Sequence, residues 1–434
     1  MEINKNSKIE EIFNLAIKNH LSNNLKDAQH LYNKILKIEP NHLSTLNNLG
    51  ELLTKLGNFQ EAQNLFEKSL QINPNLASAY NNLGLIHKKL SNNKLAENNF
   101  KKAIELNPNL ANAHYNLGII FREKGEYENA KTSYEKVIKI FPNHINSFNN
   151  LGILYDELGM TQKAKESYKE ALNINPNYVD ALWNSHILAS DINETLSILQ
   201  KLCDVDKHHL KSKIIISGLE KYKGNSKLFN DILNSENSTH PYTRSLKWIF
   251  SLPKLPKIFF NRWSFFDAML TLADSSKPFY EFGVWNGVSF KYLLKTFKKG
   301  YGFDTFTGIP DTWHNEPKGN YTNFGKIPQI KGGEFIVGKF EDSLPKFFSE
   351  KRPVASVINF DADLYSSTIC ALNYSKEVIT ENTILIFDEF IMNNKWEEDE
   401  FKALNEFCIN TGNSYEVLAF SLSTKQVAVK LKKN

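Results

Sequence analysis

The amino-acid sequence predicts a multidomain fold: an all-α superhelix of paired helices in the first half, followed by an α/β doubly wound sheet of seven strands. Three observations predict it. Several residue types recur every 34 residues through the first half, a period typical of stacked two-helix units. After Lys277, short apolar runs alternate with helical stretches, the pattern of a parallel sheet with crossover helices. Two of those runs end in the carboxylates Asp361 and Asp388, at the strand ends where open parallel sheets bind ligands.

The repeat is read from Pro40, Pro74, Pro108, Pro142 and Pro176, from Ala28, Ala62, Ala96, Ala130 and Ala164, and from an aromatic at Tyr32, Phe66, Phe100, Tyr134 and Tyr168. A Leu-Gly pair recurs at Leu49-Gly50, Leu83-Gly84, Leu117-Gly118 and Leu151-Gly152. Each unit reads as two amphipathic helices: Gly and Ala sit where the helices cross closely, and the aromatic fills the space between repeats. Pro stops the second helix, and the Asn after it is expected to cap the next one. These residues resemble the tetratricopeptide repeat. The units at either end depart from the pattern, the first with Leu15-Ala16 in place of Leu-Gly and the last keeping Trp183-Asn184 but losing the Gly, Ala, aromatic and Pro, as capping repeats do.

Asn14, Asn48, Asn82, Asn116, Asn150 and Asn184 form a further series at the same spacing, all on first helices. Asparagine is a mediocre helix former, so six at one interior position need a reason. One is a ladder of amides lining a groove that binds an extended peptide, similar to the asparagine ladders of repeat domains fused to certain glycosyltransferases. The others are that an Asn-rich chain uses Asn at any polar helical position, or that the amides tie neighbouring repeats together.

At 434 residues, and with about 150 residues per domain, two or three domains are expected. They are residues 1–205 for the repeats, 206–253 for a helical linker with a polar joint at 234–243, and 254–434 for the sheet domain. The stretch PKLPKIFFNRWSFFDAMLTLA is read as the first helix of the last domain, its aromatics as core. A 41% hydrophobic, 23% charged composition excludes collagen-like, disordered and multispanning classes. A net charge of +4 provides no field for nucleic acid. Three distant cysteines indicate neither a disulfide framework nor a zinc site. No apolar run approaches the roughly 18 residues of a membrane span, and a cytoplasmic location is expected.

In the second half the runs FYEFGV, GYGFD, GEFIVG, VASVINFD and TILIFD are followed by a hairpin, SYEVLAF and KQVAVKL. Glycines after the first strand, Gly283 and Gly287, allow a close turn before a helix, and Asp304 ends the second strand, where a carboxylate can take a ribose. Asp361 with Asp363, and Asp388 with Glu389, concentrate negative charge at one sheet edge, which calls for a cation; hard oxygen ligands suit magnesium. Seven strands ending in a hairpin look like the Rossmann-like class I S-adenosylmethionine-dependent methyltransferase fold.

The motifs EFGVWNGVS, FDTFTGIP, GKFEDSLP, FDADLYSST and FDEF, over roughly 278–407, resemble the macrocin O-methyltransferase (TylF-like) family of metal-dependent sugar methyltransferases. The resemblance implies S-adenosylmethionine as cofactor, with Glu281, Gly283, Gly287 and Ser289 around its methionine end and Asp304 on its ribose. Phe306 adds to the cofactor site, and Gly338, Phe340 and Asp342 border the adenine. It implies Mg²⁺ or a similar ion on Asp361, Asp388 and Glu389, with Asp361 also the general base. Where the family has a glycine-rich turn with a basic residue, this chain reads IMNNKWEEDEF. The insertion between Gly308 and Gly333 reads as a lid, in which Trp313, His314 and Tyr321 meet a sugar and His314 is a reserve base. The expected function is O-methylation of a sugar or glycan hydroxyl, with the repeats binding a protein or peptide. The alternatives are a protein methyltransferase whose groove recruits its polypeptide, or a non-catalytic adaptor.

Overall fold

The computed structural model of the protein describes residues 2–314, 316 and 318–433. The chain forms two compact units, Met1–Ser147 and Phe148–Asn434.

The first unit is built from helix pairs: Glu2–Leu21 with Leu25–Ile38, Leu43–Lys55 with Phe59–Ile72, Ala77–Lys89 with Asn93–Leu106, and Ala111–Glu123 with Tyr127–Ile140. The repeated glycine and aromatic meet as the period predicts. A Cβ on Gly50 would lie 2.7 Å from the Phe66 ring, on Gly84 2.5 Å from Phe100, and on Gly118 2.7 Å from Tyr134. The rings are fully buried, each contributing about 1.5–3 kcal/mol, so the glycine exists to admit the ring. Gly84→Ala should therefore destabilise the protein by about 1–2 kcal/mol, because overpacking outweighs the gain in helix propensity. Adding Phe100→Leu should recover part of the loss in urea melts, and equal, additive losses would show that the two positions do not meet.

The helix junctions differ from expectation. The cap position is one residue later than the Asn that follows Pro: it is His42, Leu76 and Leu110, and only the first caps with its side chain, Nδ1 accepting from the Thr45 N–H. The asparagine before Pro forms the turn instead. The N–H of Asn75 donates to Oδ1 of Asn73 at 3.0 Å, and that of Asn109 to Oδ1 of Asn107 at 3.1 Å, an Asx turn that competes with further helix.

The second unit begins within the helix Ile145–Glu157 and continues through Thr161–Ile174, Val179–His186, Ile192–Val205, Leu210–Tyr222, Lys227–Leu233 and Pro241–Ser251. The expected linker is not a separate segment: Ile214, Ile215, Leu219, Leu246 and Ile249 share one buried cluster with Tyr280, Phe282 and Phe360 of the sheet. Nor is 234–243 an open joint. It holds the short turn Glu236–Thr239 and the start of Pro241–Ser251, where Thr243 is fully buried and Arg244 pairs with Glu397 at 2.7 Å.

The sheet is mixed and has eight strands, β1 (Lys257–Phe259), β2 (Phe279–Phe282), β3 (Gly300–Asp304), β4 (Gly333–Val337), β5 (Val357–Phe360), β6 (Ile384–Phe387), β7 (Asn413–Ser421) and β8 (Val427–Lys433). Their order is β1-β7-β8-β6-β5-β2-β3-β4, with β8 alone antiparallel to its neighbours. The additional strand, β1, comes from the stretch expected to be wholly helical. Its flanking Pro253 and Pro256 prevent a helix there, and Lys257–Phe259 pairs with β7 before the helix Arg262–Leu270 begins. From the centre the chain builds outward through β2, β3 and β4 in one direction and through β5 and β6 in the other, which places a topological switch between β2 and β5.

Phe303, Phe282, Phe360 and Phe387 stand in register on β3, β2, β5 and β6. Their rings stack with centroids 4.8, 5.4 and 4.7 Å apart. This aromatic row is the floor of the candidate site: the next residue along each strand is Asp304, Gly283, Asp361 and Asp388.

Candidate functional site

Gly283 has φ +90°, and a Cβ there would run into the main-chain oxygen of Asp361, so only glycine allows β2 and β5 to stay this close at the switch. The turn continues through Trp285 (φ 47°) and Gly287 (φ 77°). Asp304 holds it shut: Oδ2 accepts from the N–H of Val284 at 2.8 Å and of Trp285 at 2.7 Å, and Oδ1 from the N–H of Phe306 at 2.6 Å. Three of the carboxylate's roughly four acceptor positions are thereby used. Asp304 is a turn clamp, with room for one further donor and not for both ribose hydroxyls.

Glu281, on the strand before this turn, is fully buried. Its Oε1 accepts from Asn359 Nδ2 at 2.9 Å, and Oε2 has no hydrogen-bond partner. Burial pushes its carboxyl up to about 8, with Ser289 and Asn359 opposing the shift. Ser289 is itself buried. Phe306 fills the core against Phe335 and is fully buried, with φ 56°; it does not line a cofactor site. Phe340 packs edge-on against Phe282, also as core. Asp342 is exposed in the first turn of Phe340–Phe347, and Gly338 precedes that helix with φ 138°.

The carboxylates do converge. Asp361, Asp363, Asp388, Glu389 and Glu400 act on one another electrostatically. Burial, followed by these like charges, raises Asp361, Asp363 and Glu400 well above the usual carboxylate range. Asp361 and Asp363 are half-buried, and Asp363 has φ 58°. Residues held in the left-handed region follow β2, β3, β5 and β6, namely Trp285, Phe306, Asp363 and Met392, and such outliers gather where a site is held in place.

Two cations missing from the sequence reading sit among these acids. Arg262 Nη2 donates to both oxygens of Asp388, at 2.8 and 2.6 Å, and Gln426 Nε2 reaches Oδ1 at 2.6 Å. Lys425 Nζ bonds both oxygens of Glu389, at 3.0 and 2.7 Å. The expected magnesium does not fit this donor set, since two of its three intended ligands are already held by internal cations. Among the described residues no group of three or more His, Cys, Asp or Glu side chains has metal-holding geometry. The sequence places Arg262 in an aromatic core stretch and Lys425 at the start of the last strand; a lone arginine amid aromatics is the available signal.

Arg262 is itself anchored. Asn261 Nδ2 donates to Oδ1 of Asp156 at 2.9 Å, Trp263 Nε1 to the Asp156 carbonyl at 2.6 Å, and the Trp263 indole lies against Gly159. The insertion contributes His314, whose Nε2 is 2.7 Å from Oδ2 of Asp399, and Tyr321, edge-on to Trp285 at 5.9 Å. Trp313 pairs with Glu316 through the main chain.

In the first unit, Asn81, Asn82, Asn112 and Asn116 line a groove of about 760 Å³ together with Glu51, Lys55, Lys89 and Tyr115. Its amides also link repeats: Asn116 Nδ2 donates to Asn81 Oδ1 at 3.3 Å and Asn82 Nδ2 to Glu51 Oε1 at 2.9 Å. Asn82 and Asn116 thus line the groove and at the same time tie neighbouring repeats together. Asn14 is exposed and Asn48 half-buried. In the second unit Asn150 is half-buried, and Asn184 Nδ2 donates to Asn149 Oδ1 at 3.0 Å.

The family model described as Tetratricopeptide repeat matches residues 41–109, 75–143 and 109–177. Residues 41–177 are tetratricopeptide repeats. No curated protein matches the chain. Among solved structures, MamA is similar at 29% identity over 37% of this chain and 94% of its own, with a TM-score of 0.33. YrrB, described as a TPR protein with an unusual peptide-binding site, is 18% identical over 42% of this chain and 95% of its own, with a TM-score of 0.35. Pseudomonas aeruginosa pilF is 17% identical over 49% of this chain and 98% of its own, with a TM-score of 0.44. Among the described residues no helix is long and apolar enough to cross a membrane.

Proposed function

We propose that the sheet domain is an S-adenosylmethionine-dependent O-methyltransferase acting on a sugar or glycan hydroxyl, and that the tetratricopeptide repeats bind a protein or peptide partner. The observation that carries this reading is the sheet edge at the β2/β5 switch, where a glycine turn clamped by Asp304 lies against the main chain of Asp361, two residues before Asp363. The fit to the cofactor rests on charge: Asp361 and Asp363, which no ion pair holds among the described residues, are raised by burial and then by the like charges around them, and a cationic ligand beside them would relieve that repulsion. S-adenosylmethionine supplies a sulfonium methyl when bound. Gly283 and Gly287 give it main-chain access, with Ser289 and Glu281 behind them, and Asp304 retains one acceptor position for its ribose.

Neither Asp361 nor Asp363 has a side-chain hydrogen bond or ion pair among the described residues, unlike Asp388 and Glu389. Asp361 is the residue that would take the proton from the acceptor hydroxyl. His314, held by Asp399, is the second candidate base. Alignment of the acceptor in the cleft supplies much of the rate.

The amide-lined groove favours a second reading, in which the polypeptide bound by the repeats is itself methylated. One experiment separates these: isothermal titration with S-adenosylmethionine, followed by transfer of labelled methyl to glycan, glycopeptide and protein pools. Binding with label in a glycan supports the proposal, and label in polypeptide supports the second reading. No heat of binding from folded protein would remove the methyltransferase reading altogether and leave a peptide-binding adaptor.

A further inference from the structure

An acidic cluster in a cleft has to be neutralised, and here the chain brings its own cations. Arg262 spans both oxygens of Asp388, and Lys425 both oxygens of Glu389. Gln426, next to Lys425, completes Asp388. These are not long side chains that happen to have swung in from the surface. Arg262 opens its helix directly after Asn261, whose side chain caps that helix by accepting from the N–H groups of Trp263 and Ser264. Asn261 and Trp263 on either side of Arg262 are both bonded to Asp156. Lys425 sits in the β7–β8 turn with φ 62°, and its carbonyl accepts from the Ile391 N–H at 3.3 Å, which holds the turn beside the loop after β6. Both cations are therefore positioned by main-chain and packing restraints before any ligand arrives.

We infer that Arg262 and Lys425 are the permanent counter-ions of this cleft and stand in for a divalent metal, so that Asp388 and Glu389 are structural acids and the site works without Mg²⁺. A divalent ion would have to displace an arginine paired through both carboxylate oxygens, with a glutamine on the same group, and a lysine bridging its neighbour. It would also bring its charge next to a guanidinium that its anchors prevent from leaving.

Mn²⁺, titrated into chelator-treated full-length protein and followed by the loss of the free-ion electron paramagnetic resonance signal, tests this without any assay of activity. The wild type should show no stoichiometric site below about 1 mM, the weak end of protein oxygen sites. Arg262→Met with Lys425→Met uncovers the acids and should bind one Mn²⁺ at least about tenfold more tightly, and a further Asp388→Asn should remove that binding. Stoichiometric binding by the wild type, lost in Asp388→Asn, would overturn the inference. So would a folded double variant that gains no Mn²⁺ affinity. The wild-type titration decides even if the double variant does not fold. The inference is independent of methyl transfer: a protein that shows this Mn²⁺ pattern but binds no S-adenosylmethionine would remove the proposed function and leave the counter-ions standing.

Discussion

Gly283→Ala should lower stability by about 3–5 kcal/mol and abolish S-adenosylmethionine binding in the same protein. Two costs combine. An alanine at φ +90° loses roughly 1–2 kcal/mol to its own backbone. In addition, its methyl would occupy the space of the Asp361 carbonyl oxygen, and that residue cannot withdraw, because its N–H is bonded to the Phe282 carbonyl at 2.8 Å in the β2–β5 ladder. The two strands must separate at the switch, which moves the turn that Asp304 clamps. Gly319→Ala is the matched control: it has the same φ of 90° but nothing within 4 Å of the added carbon, so it should pay only the backbone cost. Denaturant melts of both variants, with isothermal titration of S-adenosylmethionine, measure the difference. Equal losses at the two positions would mean that the close approach of β2 and β5 contributes nothing.

Arg262→Met should cost about 3 kcal/mol, the lower end of the range for breaking a buried pair, because the arginine side chain keeps 33% of its surface accessible while Asp388 keeps 9%. Most of that cost is the carboxylate left behind, held between Gln426 and the other acids of the cleft. Removing the charge as well should therefore restore stability: Arg262→Met with Asp388→Asn is expected to be more stable than Arg262→Met alone, with a coupling of about 1.5–3 kcal/mol in a double-mutant cycle. Strictly additive losses would show that the pair seen between the helix Arg262–Leu270 and the end of β6 does not operate in solution.

Much of this molecule could be read along the chain. Gly84 and Phe100 are sixteen positions apart within one repeat, and the geometry that brings them together is local helix geometry repeated at a constant interval, so their meeting was legible from spacing alone. The strand-end residues Gly283, Asp304, Asp361 and Asp388 were legible for a similar reason: each ends an apolar run, and the parallel alternation of runs aligns their ends on one edge. The roles given to some of them were not. Asp304 was expected to face a ribose and instead accepts three main-chain N–H groups. Phe306 was expected at the cofactor and instead is fully buried in the core beside Phe335, with its backbone in the left-handed region. Nothing in residue identity announces a positive φ at phenylalanine.

What the sequence by itself determined was therefore the repeat, its glycine–aromatic packing, and the gathering of acids at one sheet edge, because all three follow from spacing along the chain: a constant 34-residue interval in the first half, and apolar runs that end in carboxylates in the second. Only the tertiary structure decided how those acids are neutralised. Arg262 and Asp388 are 126 positions apart, and Lys425 lies 36 beyond Glu389. Each pair forms because separate elements, the helix after β1 and the β7–β8 turn, come to rest against the end of β6. An ion pair of this kind has no period and no fixed spacing, and its two partners looked, in the sequence, like an arginine in a core helix and a lysine in a hairpin. The Coulomb attraction that selects one neutralising cation over another acts between atoms a few ångströms apart, and the chain does not reveal those distances until it has folded.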